Sequence, residues 1–266
     1  MKLEDEQQEI AKKFNSYRGE VNGEVYSNAQ LAKMMATEKN VETRKQIYYA
    51  RKVNGGDLIA KDMVELAKKR NEFAKKNGYD NYFTYKLKES YDVDEKKLFE
   101  LLDDLAKKTD KVYDKMSARD DKKLAEAFGI KPKDLQPWHY GLQLEGSISK
   151  EADSYIKNND MLTEVAFDMY KNMGWDIPKL PIFLDIFPKD GKNQHGFCFD
   201  VDKNKDVRIL ANLTNNMDSL GTLQHELGHA VYDVGISEHL PFFERDVASS
   251  AMTEAVAMLM QTLPER

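Results

Sequence analysis

The sequence predicts a mainly helical protein with a small antiparallel β-sheet, and three observations support this fold class. Apolar residues recur at intervals of three and four through the first two thirds of the chain, which is the period of amphipathic helices. A short apolar segment rich in β-branched residues then appears, followed by two more around a polar turn. The composition, 41% hydrophobic and 32% charged, is that of a globular protein rather than a disordered chain.

Capping residues and glycine-containing turns set the predicted helix boundaries in the first two thirds. Ser27-Asn28 is typical of a helix start, and Asn54-Gly55-Gly56 is expected to end that helical segment at about Val53. Asp57 is expected to cap the next helix, which Asn77-Gly78 terminates. Two further helices are predicted, one beginning at Asp94 and a long one running from Ser149 to Met173.

Strands and two further helices are predicted after residue 175. The segment Leu180–Phe187 is short and apolar, as in a buried strand. Residues 197–201 and 207–211 flank the polar turn 202–205, which predicts a β-hairpin. Helices are expected at about 219–234 and 247–262.

Charge, cysteine content and hydropathy exclude several classes of protein. The net charge is −6, with 40 basic and 46 acidic residues well mixed, which argues against a nucleic-acid-binding surface. The single cysteine, Cys198, excludes an intramolecular disulfide and a cysteine-based zinc finger. No uncharged stretch approaches the roughly 20 residues that span a bilayer. The N-terminus shows no apolar signal segment, so a cytoplasmic location is expected if Met1 is the native start, and an extracytoplasmic one if a signal segment has been removed.

The motif His225-Glu226-Leu227-Gly228-His229 has the H-E-x-x-H pattern of zinc peptidases. On a helix, residues four apart lie on one face, so both imidazoles can reach a single ion. The alternative is a pair of solvated or hydrogen-bonded histidines that share this spacing by chance. The apolar stripe of the same helix points away from the histidines, which are therefore expected to face a cleft. That stripe consists of Leu220, Leu223, Leu227, Val231 and Val234.

Glu254 is the predicted third ligand. It is the only charged residue of the segment 247–264, which is apolar on nearly all sides and is therefore expected to be a buried helix. A buried carboxylate needs a partner, and a divalent cation is the strongest one; the alternative is a buried ion pair with a distant lysine or arginine. We therefore predict that one Zn²⁺ ion binds to His225, His229 and Glu254. Glu226 adjoins a ligand without being one, so it is the predicted general base for amide hydrolysis.

The carboxyl-terminal third resembles the gluzincin metallopeptidases, specifically the angiotensin-converting-enzyme-like peptidyl-dipeptidases. Oligoendopeptidase F and thimet oligopeptidase are more distant in this resemblance. Weaker similarity extends upstream through Met35–Thr37 and Asn77–Tyr79. The resemblance is carried by Gln194–Asp200 with Lys205–Ile209, by Gln224–Ala230, by Leu240–Arg245 and by Met252–Ala255.

The resemblance implies a two-lobed, zincin-like helical fold with a deep substrate channel and a small sheet beside the zinc helix. Residues 1–175 would form a helical region along one wall of the channel and residues 176–266 the catalytic core, as one structural unit. It also implies that His195 and the backbone of Gly196 and Cys198 contact a bound peptide, since an extended peptide can pair with an edge strand. Peptides are therefore the expected partners, and the oligomeric state is left open.

Two departures from the family pattern carry expectations of their own. Met258 stands where the converting enzymes have an aspartate that supports a zinc histidine, so Asp233, Asp200 or a backbone carbonyl is expected to substitute, or the site to be weaker. The family domain extends past both ends of the chain, and its oxyanion-stabilising groups lie in the part that is missing. Little activity is therefore expected of residues 1–266 alone, together with an exposed apolar patch at Met258–Met260.

Three other functions compete with a zinc peptidase. A cysteine hydrolase built on Cys198 and His195 is disfavoured, because residues three apart in a strand point to opposite faces. A non-catalytic zinc- or peptide-binding fragment would keep the ligands without turnover, but a structural zinc site has four protein ligands and no use for Glu226. A metal-free helical scaffold is the third. His139 is expected to be packed among aromatic residues and His239 to lie on the surface.

Overall fold

A computed structural model of the chain describes residues 3–144, 148–189, 192–193 and 195–263, with the side chains of 148–150 left aside. The chain forms two compact units, Met1–Leu144 and Glu145–Arg266. The described residues are mainly helical with two small sheets, which confirms the predicted fold class. None of the helices in these ranges combines the length and apolar character that crossing a membrane requires.

The first unit is built from helices and one short hairpin. The strands β1 and β2 pair antiparallel and were not anticipated from the sequence. A π-helical segment, Tyr49–Val53, joins α3 to α4 without a break. The elements are α1 (Leu3–Ser16), β1 (Gly19–Val21), β2 (Glu24–Tyr26), α2 (Asn28–Thr37), α3 (Val41–Tyr48), α4 (Asn54–Lys76), α5 (Tyr82–Tyr91) and α6 (Glu95–Phe128).

Several predicted helix ends of this unit are confirmed. Ser27 caps α2 in a capping box with Gln30. Gly78, at φ +86°, follows the end of α4 in the left-handed conformation that glycine adopts without strain. Asp94 caps α6 by accepting a hydrogen bond from the backbone N–H of Lys97 at 2.9 Å.

The predicted helix break at Asn54-Gly55-Gly56 is wrong. The chain stays helical there, and the interruption lies earlier, where Asn40 caps α3. A Cβ on Gly55 would lie 3.1 Å from the ring of Tyr17, so this glycine permits close packing of α1 against α4 rather than a turn. Asp57 consequently lies inside the first turn of α4 and does not cap it.

The second unit contains a mixed sheet and two long helices. β4 and β5 form the predicted antiparallel hairpin, whereas β3 pairs parallel to β5. The strand order β3-β5-β4 leaves β4 at an edge of the sheet. The elements are α7 (Ile148–Asp153), α8 (Asn159–Asn172), β3 (Ile182–Asp185), β4 (Phe197–Asp200), β5 (Val207–Leu210), α9 (Met217–Gly235) and α10 (Ser250–Thr262).

The helix predicted over 149–173 is two helices, α7 and α8. Asn158 begins the second, because its side chain accepts a hydrogen bond from the backbone N–H of Met161 at 2.8 Å. Both helices pack against α9, so they belong to the same unit as the strands. The unit boundary therefore falls at residue 144, which differs from the predicted division at residue 175.

The core of the second unit lies between α9, the sheet and α8. The predicted stripe of α9 forms its centre, with Leu220, Leu223, Leu227 and Val231 buried and Val234 packed against them. On another side of α9, a Cβ on Gly228 would lie 2.8 Å from the Cα of Ala257, so α9 and α10 touch backbone to backbone. This close approach places Glu254 of α10 beside the histidines of α9.

Candidate metal centre

His225 and His229 lie one turn apart on α9, as the motif predicts. Their Nε2 atoms are 3.2 Å apart, and both side chains are mostly buried at the wall of a cavity. Burial is the main cause that lowers the pKa of His229, and the proximity of His225 lowers it further. A lowered pKa favours the neutral imidazole, which is the form that binds metals.

Glu254 reaches both histidines from α10. Its two carboxylate oxygens lie 3.5 Å from Nε2 of His225 and 3.6 Å from Nε2 of His229. Bonds of about 2.0–2.1 Å in a tetrahedral zinc site place neighbouring ligand atoms about 3.4 Å apart. With one ligand atom taken from each residue, the three atoms lie within 4.8 Å of one another, close enough to converge on one ion. Among the described residues these side chains form the single group with that convergence.

The prediction that Glu254 lies on a fully buried helix is wrong. Its side chain is 53% exposed, and α10 presents Met258 and Leu259 to solvent while burying Met260. The predicted apolar patch is thus correct for Met258 and Leu259 and wrong for Met260. An exposed carboxylate has no need of a buried partner, so the geometry at the histidines, not burial, is what makes Glu254 a candidate ligand.

The second nitrogen of each histidine is held by a neutral side chain of α10. Nδ1 of His225 lies 3.1 Å from Oε1 of Gln261, and Nδ1 of His229 lies 2.7 Å from Oγ1 of Thr253. Because an amide oxygen only accepts hydrogen bonds, His225 donates from Nδ1 and keeps the lone pair of Nε2 for a metal.

These contacts correct the expectation about what replaces the aspartate absent at Met258. Neither Asp233, Asp200 nor a carbonyl supports the histidines in the described structure; Thr253 and Gln261 do. Sequence analysis missed both residues. Helical spacing could have indicated Gln261, because it follows Glu254 by seven residues and so lies two turns further along the same helix face.

Glu226 is 6% exposed and faces the same cavity. Burial raises the pKa of its carboxyl to about 7, with a further contribution from the negative charge of Glu254. A Cβ on Gly196, the residue before β4, would lie 3.1 Å from Oε1 of Glu226, so the backbone at Gly196 closely approaches this carboxylate.

The cavity has a volume of about 460 Å³, within the range of ligand-binding sites. The edge strand β4 forms one wall, and α9 and α10 form others. Gly196 and Cys198, two of the predicted peptide contacts, line it. His195 is exposed and is not among the lining residues, and Gln194 lies outside the described residues.

The remaining candidate residues have structural surroundings. Burial raises the pKa of the Cys198 thiol, and the nearby carboxylates raise it further, so the thiol stays protonated at neutral pH and a cysteine nucleophile has no support here. His139 is buried against the ring of Phe128 and accepts a hydrogen bond from the backbone of Gln136 at 2.8 Å, as predicted for a packed histidine. His239 is exposed, also as predicted.

Comparisons with known proteins agree with this architecture. The family model of the carboxypeptidase Taq (M32) metallopeptidases matches residues 2–261. A search of the curated proteins finds no match. Among solved structures, a protein described as an oligoendopeptidase F from Bacillus anthracis strain Ames matches 97% of this chain and 47% of its own, at 18% identity and a TM-score of 0.67. The structure of PZ peptidase A with inhibitor 2 matches 97% of this chain and 46% of its own, at 20% identity and a TM-score of 0.69.

At these identities the two solved structures are evidence for the fold. Both neighbours share the helical, zincin-like architecture predicted from the sequence. The chain spans less than half the length of either of them.

Proposed function

The chain belongs to the carboxypeptidase Taq (M32) metallopeptidase family, and we propose that it hydrolyses bonds in short peptides with one zinc ion. The family match confirms the predicted metallopeptidase character and metal dependence. The predicted resemblance to the angiotensin-converting-enzyme-like peptidyl-dipeptidases is more specific than what the family match shows, so it stays a prediction.

The convergence of His225, His229 and Glu254 carries the proposal. Two imidazoles and one carboxylate are the donor set of a catalytic zinc site, which keeps a position open for water or substrate. When bound there, zinc supplies a Lewis acid for the substrate carbonyl and lowers the pKa of water to about 7. Gln261 and Thr253 hold Nδ1 of His225 and His229, which would leave Nε2 of each imidazole to bind the metal.

Glu226 is the proposed general base. Its carboxylate takes the proton of the attacking water and returns it to the leaving amine. Burial raises the pKa of this carboxyl above its ordinary value, which is the direction that suits a group that both accepts and returns a proton. Glu226 has no role in a purely structural zinc site, so it favours the enzyme over a non-catalytic zinc- or peptide-binding protein.

The edge strand β4 is the proposed binding surface for the peptide backbone. Its free edge can pair with an extended peptide, as in other cases of β-strand addition. Gly196 and Cys198 line the cavity, which supports their predicted role as backbone contacts. The contact of His195 with substrate is likewise a proposal, which derives from the resemblance alone.

Because little activity is expected of residues 1–266 alone, the test uses the zinc-loaded natural protein that contains them and a mixture of short peptides, with products identified by mass spectrometry. Glu226→Gln is expected to keep zinc and to reduce cleavage by several orders of magnitude, whereas Glu238→Gln, an exposed acid outside the cavity, should leave the rate unchanged. Equal cleavage by wild type and Glu226→Gln would contradict the proposal. The product lengths show whether single residues, dipeptides or internal fragments are released.

A further inference from the structure

Asp233 lies on the same face of α9 as His225 and His229, closer to the C-terminal end of the helix. It follows His229 by four residues, so it lies one turn, about 6 Å, further along the same face. Only 8% of its surface is exposed, and that exposed part lines the cavity that His225 and Glu226 also line. The role proposed above for the metal centre and the general base does not use this carboxylate.

The Asp233 carboxylate lacks a partner within the described structure. No hydrogen bond or ion pair reaches it there, and its electrostatic neighbours are the carboxylates of Asp200 and Asp246. Burial, and then these two like charges, raise the pKa of Asp233 to about 6, which still leaves most of it ionised at neutral pH. A buried, unpaired anion beside other anions is unfavourable unless a cation joins it.

The basic residues of the cavity are engaged elsewhere. Nζ of Lys203 lies 2.5 Å from Oδ2 of Asp246. Arg245 donates from Nε to the carbonyl of Leu240 at 2.8 Å and from a terminal nitrogen to Oδ1 of Asn204 at 3.1 Å. Neither side chain is therefore paired with Asp233, which leaves its carboxylate open to a cation carried by a bound molecule.

A basic organic group fits this place better than a second metal ion. The oxygens of Asp200 already accept hydrogen bonds from the backbone N–H groups of Asp202 and Lys205, at 3.3 and 3.0 Å. Among the described residues, the acids around Asp233 do not form a group of three with converging ligand atoms. A lysine or arginine side chain needs only one or two carboxylates and can extend into a cavity of this size.

We propose that Asp233, assisted by Asp200, forms a subsite that binds a lysine or arginine side chain of the substrate peptide. This inference rests on the proposed peptidase function. An extended peptide advances about 3.4 Å per residue, so a subsite about 6 Å beyond His229 receives a side chain one or two residues from the bond to be cleaved. Asp233 is then a residue that determines specificity.

Binding is measured by calorimetry on the zinc-loaded Glu226→Gln chain, so that turnover does not interfere. The probes are alanine pentapeptides that carry lysine, norleucine or glutamate at each position in turn; norleucine keeps the aliphatic chain of lysine without its charge. Asp233→Asn removes the charge of the subsite, and Glu238→Gln removes one charge outside the cavity as the matched control. Thermal unfolding checks that each variant is folded.

We expect lysine to bind about 10- to 100-fold more tightly than norleucine at one position, as a charge-assisted hydrogen bond would provide. Asp233→Asn should abolish this preference, and Glu238→Gln should keep it. Equal affinities for lysine and norleucine at every position, or a preference that survives Asp233→Asn, would overturn the inference. So would two zinc equivalents per wild-type chain and one in Asp233→Asn, because a second ion would then occupy the carboxylates.

The outcomes separate this inference from the proposed function. Wild-type cleavage of the norleucine and lysine peptides at equal rates, with equal affinities, overturns the subsite and leaves the peptidase intact. Failure of the natural protein that contains residues 1–266 to cleave any peptide counts against the peptidase, while the binding constants still decide whether Asp233 selects a basic side chain.

Discussion

The substitution Gly228→Ala is expected to push α10 away from α9 and thereby weaken the metal site. Gly228 lies between the two histidines of the motif, and α10 carries Glu254. A Cβ at this position would lie 2.8 Å from the Cα of Ala257 and 3.3 Å from Cγ of Met260. The nearer atom belongs to backbone, so it cannot rotate aside as a flexible side chain would.

The magnitude follows from the distances. Moving Ala257 from 2.8 Å to an ordinary contact of at least 3.4 Å requires a displacement of 0.6 Å or more. Overpacking of this kind costs about 1–3 kcal/mol, from which the higher helix propensity of alanine returns up to about 1 kcal/mol. Zinc–ligand distances tolerate only about 0.2 Å, so a shift of Glu254 by this amount should weaken zinc binding at least about tenfold.

The assay combines urea unfolding of the metal-free chain with zinc affinity from a competing chelator. Gly221→Ala is the matched control, because Gly221 lies on the same helix and its added Cβ would meet Gln261 at an ordinary 3.6 Å. We expect Gly228→Ala to lose stability and zinc affinity while Gly221→Ala loses neither. If both variants gained stability and bound zinc like wild type, the close contact between α9 and α10 would not set the geometry of the site.

Three further predictions concern polar side chains that support the histidines or line the cavity. Gln261→Leu and Thr253→Val should each weaken zinc binding by about 10- to 100-fold, because each removes the group that orients one histidine. Circular dichroism should show that both variants keep the fold. Unchanged zinc affinity would show that these contacts do not support the metal site. Gln261→Glu should strengthen zinc binding relative to wild type, since a carboxylate raises the basicity of the imidazole it accepts from; weaker binding in a chelator titration would contradict this. The raised pKa of Asp233, about 6 against an ordinary 3.8, means that the native state holds this proton more tightly than the unfolded chain. Wild type should therefore lose up to about 3 kcal/mol of stability relative to Asp233→Asn as the pH rises from about 4 to 6. If urea unfolding gave the same pH dependence of the unfolding free energy for both proteins across that range, the prediction would be wrong.

The zinc helix and the hairpin could be predicted from the sequence because their signals are local. The apolar stripe of α9 and the spacing of His225 and His229 both depend on helical periodicity alone. The β4–β5 hairpin follows from two apolar runs around a polar turn. Glu254 was located correctly beside the histidines, but by an argument from burial that the structure contradicts.

Features that depend on packing between distant segments could not be predicted. The sequence around Gly55 is typical of a helix end, but the role of this glycine is set by the ring of Tyr17, the residue that follows α1. The parallel pairing of β3 with β5 has no local signal at all. Thr253 and Gln261 are ordinary helix residues until α10 is placed against α9, and only then do they meet the histidines.

The apolar pattern of α6 shows a related limit. Its apolar residues recur at helical spacing, as expected of a face that packs on a core. Leu101, Leu105 and Val112 are nonetheless exposed in the described structure. Periodicity therefore identified the helix correctly but not which of its residues are buried, because burial depends on what covers the face.

The most direct test of the metal centre is X-ray absorption at the zinc edge on the zinc-loaded chain. We predict one ion per chain, with two imidazole nitrogens and at least one oxygen at about 2.0–2.2 Å and no sulfur. In Glu254→Gln the same measurement should show an altered first shell and a lower zinc content, because the third ligand has lost its charge. A spectrum with sulfur from Cys198, or one that Glu254→Gln leaves unchanged, would contradict a site built from His225, His229 and Glu254.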